Sequence, residues 1–446
     1  MNGAREKWTS KVGFVLAAAG SAVGLGNIWR FSYVTGTNGG AAFVIIYLVA
    51  IVLIGYPMMV TEVAIGRKSE KNPVGAFKAL APNTPWWLVG ALGVFSGFVI
   101  LSFYSVVAGW SVAYIFKAIA GFIPDTDFAG VFVGHITGTG APIIWHAIFM
   151  VLTAGIIAAG VVKGIQRWVK ILMPVLFILL IILVLRALTL PGAGEGIAFY
   201  LAPRFGDVTA GTLLAAIGQA FFTLSLGMGA MITYGSYLSN QENIADNGGW
   251  VVGLDTAIAI VAGFAIFPAV FAFGFDPAAG PGLVFITLPA VFAEMPAGSL
   301  FGFIFFVLLS VAALTSAISL LEVVVAWLVD EKDWPRVKAA VSMGIVIFVI
   351  GLPTTLGFGV WGDVRIIGME ILDFYDFLAS ELALPIGGAL TAIFAGHVWK
   401  ARTVVDETNS PPGAIKIGNW YGVLIKYVIP IAVFLVLLFT LIDFLG

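Results

Sequence analysis

The stretch Gly20-Ser21-Ala22-Val23-Gly24-Leu25-Gly26-Asn27 lies in the middle of an apolar run, residues 12–37, long enough to cross a bilayer. A second glycine-rich stretch, Thr223-Leu224-Ser225-Leu226-Gly227-Met228-Gly229, lies inside the run 211–238. Glycine is common in membrane helices, where it permits close packing, so one such cluster is weak evidence of anything more. Two clusters at mid-span, five spans apart, predict two helices that unwind inside the membrane.

Working outward, the remaining apolar runs are 41–66, 86–119, 143–160, 168–190, 248–273, 297–328, 337–357, 366–396 and 422–444, which makes eleven expected spans. The composition agrees, because 60% of the 446 residues are hydrophobic and only 10% are charged, far below the roughly one-quarter charged residues of a soluble domain. Net charge is -2 with no basic stripe, so nucleic acid is not an expected partner. With no cysteine in the chain, disulfides and thiolate chemistry are excluded. MNGAREKWTSK runs into the first span without a small-residue cleavage site, and we expect a cytosolic tail and a retained helix.

Basic residues set the orientation. Arg5, Lys7, Lys11, Arg67, Lys68, Lys71, Lys78, Lys163, Arg167, Lys170, Lys332, Arg336, Lys338, Lys400, Arg402, Lys416 and Lys426 fall on one side, against Arg204 and Arg365, with Lys117 and Arg186 near helix ends, on the other. The bias predicts a cytoplasmic N-terminus and an external C-terminus. Short loops and tails suggest a prokaryotic plasma membrane.

Five-span separation of the two breaks gives the expected fold class: an all-α polytopic membrane protein built from two inverted five-helix repeats with broken helices one and six, plus an eleventh helix. The corresponding divisions are 1–190, 191–396 and 397–446. Where a helix unwinds in the membrane, its freed carbonyls can be satisfied by cations and its freed amides by a carboxylate. Asn27, Thr223, Thr315 and Ser316 supply hard oxygen ligands suited to a group-one ion, although each hydroxyl alone can equally bond its own helix backbone. Asp255, in GLDTAIAIVAG, is a carboxylate in an apolar helix and therefore a functional candidate, unless it lies a turn nearer the interface and faces water. Glu62, in PMMVTEVAIGR, is open between proton handling and helix packing.

Span one, WTSKVGFVLAAAGSAVGLGNIWRF, with NGGAAF after it, resembles the neurotransmitter:sodium symporter family, particularly its bacterial hydrophobic amino acid transporters. GQAFFTLSLGMGAMITYGSYLS, AALTSAIS and LDFYDFLAS extend the resemblance over essentially the whole chain. Members of this family are themselves type examples of broken-helix transporters.

The resemblance implies sodium-coupled symport of neutral, mainly hydrophobic L-amino acids by alternating access, with two Na+ sites. One would use carbonyls of Ala22 and Thr223 with side chains of Asn27, Thr223 and Asp255. The other would use carbonyls of Gly20, Val23 and Ala312 with hydroxyls of Thr315 and Ser316. Chloride-requiring members usually carry Asn where this chain has Asp255 and Ser where it has Ala259, so no chloride requirement is expected. The substrate carboxylate would meet amides around Leu25 and Gly26 and the Tyr104 hydroxyl. Its ammonium would face the carbonyls of Ala22, Phe222 and Thr223 and the Ser225 region.

Ile100, Phe222, Met228, Ala312, Ser316 and Leu320 would line the side-chain pocket by the same analogy. Met228 replaces a family phenylalanine and favours bulky leucine-like or aromatic substrates, if it does not simply fill the core. Arg30 and Asp376 would gate the outer side with Phe222 as lid, although Arg30 could also be an interfacial snorkelling residue. Arg5 and Asp330 would close the inner side beside Trp8, Ser236 and Tyr237. The expected partners are the amino acid, sodium and the lipid bilayer, with no obligate protein partner. The alternative is a sodium-dependent amino acid sensor or a channel-like protein. An enzyme is not expected: His135, His146 and His397 fall in loops or near helix ends without metal-ligand spacing.

Overall fold

The computed structural model describes residues 6–278 and 282–445. Its helices, in chain order, are α1 (Lys11–Ala22), α2 (Gly26–Thr37), α3 (Ala41–Ser69), α4 (Pro73–Leu80), α5 (Trp87–Ala120), α6 (Phe128–Ile136), α7 (Gly140–Ala158), α8 (Val161–Leu188) and α9 (Ala193–Leu201). They continue as α10 (Ala210–Thr223), α11 (Ala230–Gly235), α12 (Ile244–Ala272), α13 (Leu283–Glu294), α14 (Gly298–Lys332), α15 (Arg336–Leu356), α16 (Ile371–Val398), α17 (Ala401–Thr408) and α18 (Trp420–Ile442). Among the described residues, nine helices are long and apolar enough to cross a membrane, and the α1–α2 pair makes a tenth span bent by 53°. The eleventh expected run, 211–238, is α10 and α11, of 14 and 6 residues. Neither half alone is long enough to span.

Local chemistry explains both breaks. Helix α1 starts on Ser10, whose side chain accepts from the Gly13 amide at 3.1 Å, and ends where the Val23 amide bonds Ala19. A Cβ on Gly24 would overlap the Ser316 and Tyr104 hydroxyls, so the chain can pass there only without a side chain. Helix α10 begins with a reciprocal Thr209–Thr212 capping box and ends at Thr223. Beyond it Ser225, Gly227 and Gly229 have φ of 53°, 80° and 77°, which no α-helix can accommodate.

The most extensive helix packing among the described residues joins α5 and α14. In each, 78% of the most apolar window is buried, against 17% in α18, so the first two form the core and the last is peripheral. The loops that the sequence left without structure carry helices α4, α6, α9, α13 and α17. His146 lies in the second turn of α7, near that helix's start as expected, and is buried there, 2.9 Å from the Ser105 hydroxyl.

Candidate functional site

The two breaks face each other across the core and leave a small cavity lined by Ser21, Ala22, Gly24, Gly26, Ile100, Tyr104, Phe222, Ser225, Met228, Ser316 and Leu320. Nine of these were expected from the sequence; Ser21 and Gly24 were not. Of the other expected residues, Leu25 donates its amide to the Tyr104 hydroxyl at 3.3 Å, Thr223 turns its hydroxyl to Asp255, and the Ala312 carbonyl accepts from Thr315. They border the cavity's walls without lining it.

On one side of the cavity, Asp255 is fully buried with no cation beside it among the described residues. The Asn27 amide nitrogen donates to its Oδ1 at 2.7 Å, and the Thr223 hydroxyl lies 3.2 Å from each carboxylate oxygen. The Asn27 side-chain oxygen accepts from the Gly24 amide at 3.0 Å. Side chains of three elements, α2, α10 and α12, thus meet at one point, with Asn27 presenting its amide nitrogen to the carboxylate and its oxygen to the Gly24 amide.

On the other side, Thr315 and Ser316 of α14 reach the unwound carbonyls. Thr315 Oγ1 stands 3.2 Å from the Val23 oxygen and 2.9 Å from that of Ala312; Ser316 Oγ stands 3.0 and 3.2 Å from those of Ser21 and Val23. Gly20 adjoins them, since a Cβ there would meet Thr315 at 3.4 Å. Ser225 Oγ donates to the Ser21 carbonyl at 2.9 Å and ties the second break to the first.

A family model described as the sodium:neurotransmitter symporter family matches residues 5–134 and 134–445. The chain belongs to this family. The symporter is also 42% identical, over 437 residues and 97% of both chains, to the sodium-dependent transporter YhdH of Bacillus subtilis. It is 39% identical over 454 residues to a sodium-dependent transporter of Haemophilus influenzae, covering 99% of each. The crystal structure of MhsT in complex with L-phenylalanine superposes with a TM-score of 0.89 at 49% identity, covering 97% of this chain and 99% of that one. The symporter is therefore a sodium-coupled transporter of the alternating-access class, and not an enzyme.

Outside the cavity, an open vestibule has Arg30 and Phe222 in its wall. Phe222 lines both spaces and separates them. The expected Arg30–Asp376 ion pair is not formed among the described residues. Instead the Arg30 guanidinium lies 4.9 Å from the Phe222 ring centroid and donates to Gln219 Oε1 at 2.8 Å. Gln219 in turn donates to the Gly26 carbonyl at 2.9 Å. A neutral amide within the apolar α10 captures the guanidinium first. Gln219 was missed, although a buried amide in AAIGQAFF was visible as an anomaly.

On the opposite side, Arg5 lies outside the described residues. Asp330 accepts from the Asn72 amide at 2.9 Å. Trp8 packs edge-on against Tyr234 and Tyr237 and donates its indole N–H to the Tyr234 carbonyl at 2.9 Å; Ser236 donates to Thr233 O at 2.5 Å. Tyr237 donates to the buried Glu322 at 2.6 Å, and Glu322 pairs with Arg336. Glu322 escaped the sequence reading and Arg336 entered it only as an orientation residue, although Glu322 is a carboxylate in an apolar span, the signal that singled out Asp255. Glu62 accepts from the Gly227 amide at 2.7 Å and so ties α3 to the second break.

Proposed function

We propose that this chain transports neutral, mainly hydrophobic L-amino acids, aliphatic or aromatic, together with two sodium ions and without a chloride requirement. The observation that carries this reading is the cavity between the two breaks, where backbone polar groups meet an apolar wall of Ile100, Phe222, Met228 and Leu320. The lining contains no charged side chain to greet an acidic or basic substrate. Substrate carboxylate binds at the Leu25 and Gly26 amides and the Tyr104 hydroxyl, near the positive end of α2. Its ammonium faces carbonyls of the broken segments.

One sodium site is built on Ala22, Asn27, Thr223 and Asp255 and includes the substrate carboxylate; the other is built on Gly20, Val23, Ala312, Thr315 and Ser316. The fixed charge of Asp255 takes the part of an anion in balancing sodium. Two inverted units, 1–190 and 191–396, rock about this site with the N-terminus inside and the C-terminus outside. Phe222 is the outer lid beneath Arg30 and Asp376, and Trp8, Ser236, Tyr237, Asp330 and Arg5 close the inner side. L-phenylalanine bound to MhsT supports an aromatic substrate.

Reconstituted protein should take up labelled leucine, phenylalanine or tryptophan when an inward sodium gradient is imposed. Equal uptake with potassium in place of sodium would refute the coupling. Counterflow against a panel of amino acids then ranks the substrates.

A further inference from the structure

The chain that follows α16 takes no part in the site described above, yet it is bonded to the turn behind α11. Residues 399–419 join α16 to α18 and carry α17, and they lie against the turn 236–243 that connects α11 to α12. Arg67, at the end of α3 and only 2% exposed, is the hub. Its Nη1 donates to the Glu242 carbonyl in the turn at 2.6 Å, its Nε to Glu407 Oε1 on α17 at 2.7 Å, and its Nη2 to the Glu407 carbonyl. The far end of the turn is held as well. Asn243, which caps α12, donates its Nδ2 to the Pro411 carbonyl at 2.5 Å, and the Asp246 carboxylate, one turn into α12, accepts from the Ala414 amide at 3.0 Å and the Ile415 amide at 2.7 Å.

The loop cannot simply follow the turn. Asn409 bonds both the amide and the carbonyl of Ile417, at 2.9 and 2.8 Å, which closes the loop on itself. Buried Tyr421, at the start of α18, bonds Thr61 of α3 at 2.5 Å. Loop, α3 and turn therefore form one closed circuit. Helix α11 enters it because α3 touches it with no room to spare: a Cβ on Gly66 would stand 1.9 Å from the Ile232 carbonyl. Withdrawal of α11 from Trp8 drags the turn, and the turn is fastened at Glu242, at Asn243 and, just beyond, at Asp246. The bonds to Asp246 come from exposed backbone, where water can take over from a lost partner, so they can open and reclose.

We propose that residues 399–419 are a clasp that holds the α11–α12 turn against α3 and sets how readily the inner side opens. The clasp rests on the proposed inner closure at Trp8, Ser236 and Tyr237.

The test is thiol labelling in proteoliposomes, with Ser236→Cys reporting the inner side and Ala215→Cys, in the vestibule wall, the outer side; the chain has no cysteine of its own. Adding Glu407→Gln should speed labelling at position 236 about fivefold, the fold-change of one hydrogen bond, and slow it at position 215. Faster labelling at both positions would show general loosening and overturn the clasp. Unchanged rates, with sodium still protecting position 236, would overturn it too. If sodium gives position 236 no protection in the parent, the inner closure itself fails and the clasp with it. A lock supplies the opposite arm. A Cβ on Gly413 would lie 2.5 Å from Asp246 Oδ2, within disulfide reach, so Asp246→Cys with Gly413→Cys can be closed by oxidation. Sodium-driven uptake should fall about tenfold or more on oxidation and return with reductant; undiminished uptake with the disulfide formed would refute the proposal.

Discussion

Asn27 Nδ2 stands 2.7 Å from Asp255 Oδ1, so the first turn beyond the break in span one is fastened to a buried carboxylate on α12. On the proposed assignment, a sodium ion beside this pair meets the Asp255 carboxylate. Asp255→Asn should raise the sodium concentration for half-maximal uptake about tenfold or more in chloride-free gluconate, the scale of one charge-assisted interaction. Combining it with Ala259→Ser should restore uptake only when chloride is supplied. An unchanged sodium dependence in the single variant would remove Asp255 from the site.

Thr315 and Ser316 hold the unwound carbonyls against α14. Thr315→Ala should therefore weaken sodium about fivefold, the effect of one hydrogen-bonding group of ~1 kcal/mol, and should favour the inward-open state. Because the chain has no cysteine, a single Ser236→Cys, buried on the inner side, reports that opening by thiol labelling. Faster labelling of the Thr315→Ala background in sodium is the expected result; identical rates would separate the hydroxyl from gating.

Met228 lines the cavity between Gly227 and Gly229. Met228→Phe puts a rigid ring where a flexible thioether stood and should disfavour bulky substrates, lowering tryptophan relative to leucine about tenfold in counterflow. A preserved ratio would assign Met228 to the core alone.

The buried Glu322 has Arg336 and Tyr237 as partners. Arg336→Met strips the charge partner and should cost about 3–5 kcal/mol, seen as a lower unfolding temperature in detergent. Adding Glu322→Leu should recover much of the loss, since an apolar pair leaves no bare charge inside. If the double variant is no more stable than the single one, Arg336 acts through its bond to the Ile157 carbonyl at 2.9 Å instead.

The spans were legible because twenty apolar residues in a row have few other uses, and the breaks were legible because glycines needed for close approach, as at Gly24, or for a positive φ, as at Gly227 and Gly229, leave a compositional mark. Asp255 was visible for the same reason that Glu322 should have been: a carboxylate in an apolar helix is an anomaly in any reading. The partners of these groups were less accessible. Glu322 meets Tyr237 across 85 residues and Gln219 meets Gly26 across 193, and such pairings arise from helix packing, which no local pattern encodes. Short helices such as α6 and α13 stayed hidden because their apolar stretches are too brief to differ from loop sequence.

Two hydrogen bonds in series, from Arg30 to Gln219 and from Gln219 to the Gly26 carbonyl, run from the vestibule wall to the peptide that borders the cavity. A cargo that tightens on the Gly26 peptide pulls on the same amide that the guanidinium holds. The outer closure can thus sense whether the centre is filled without touching the passenger, and an empty carrier has a weaker reason to shut.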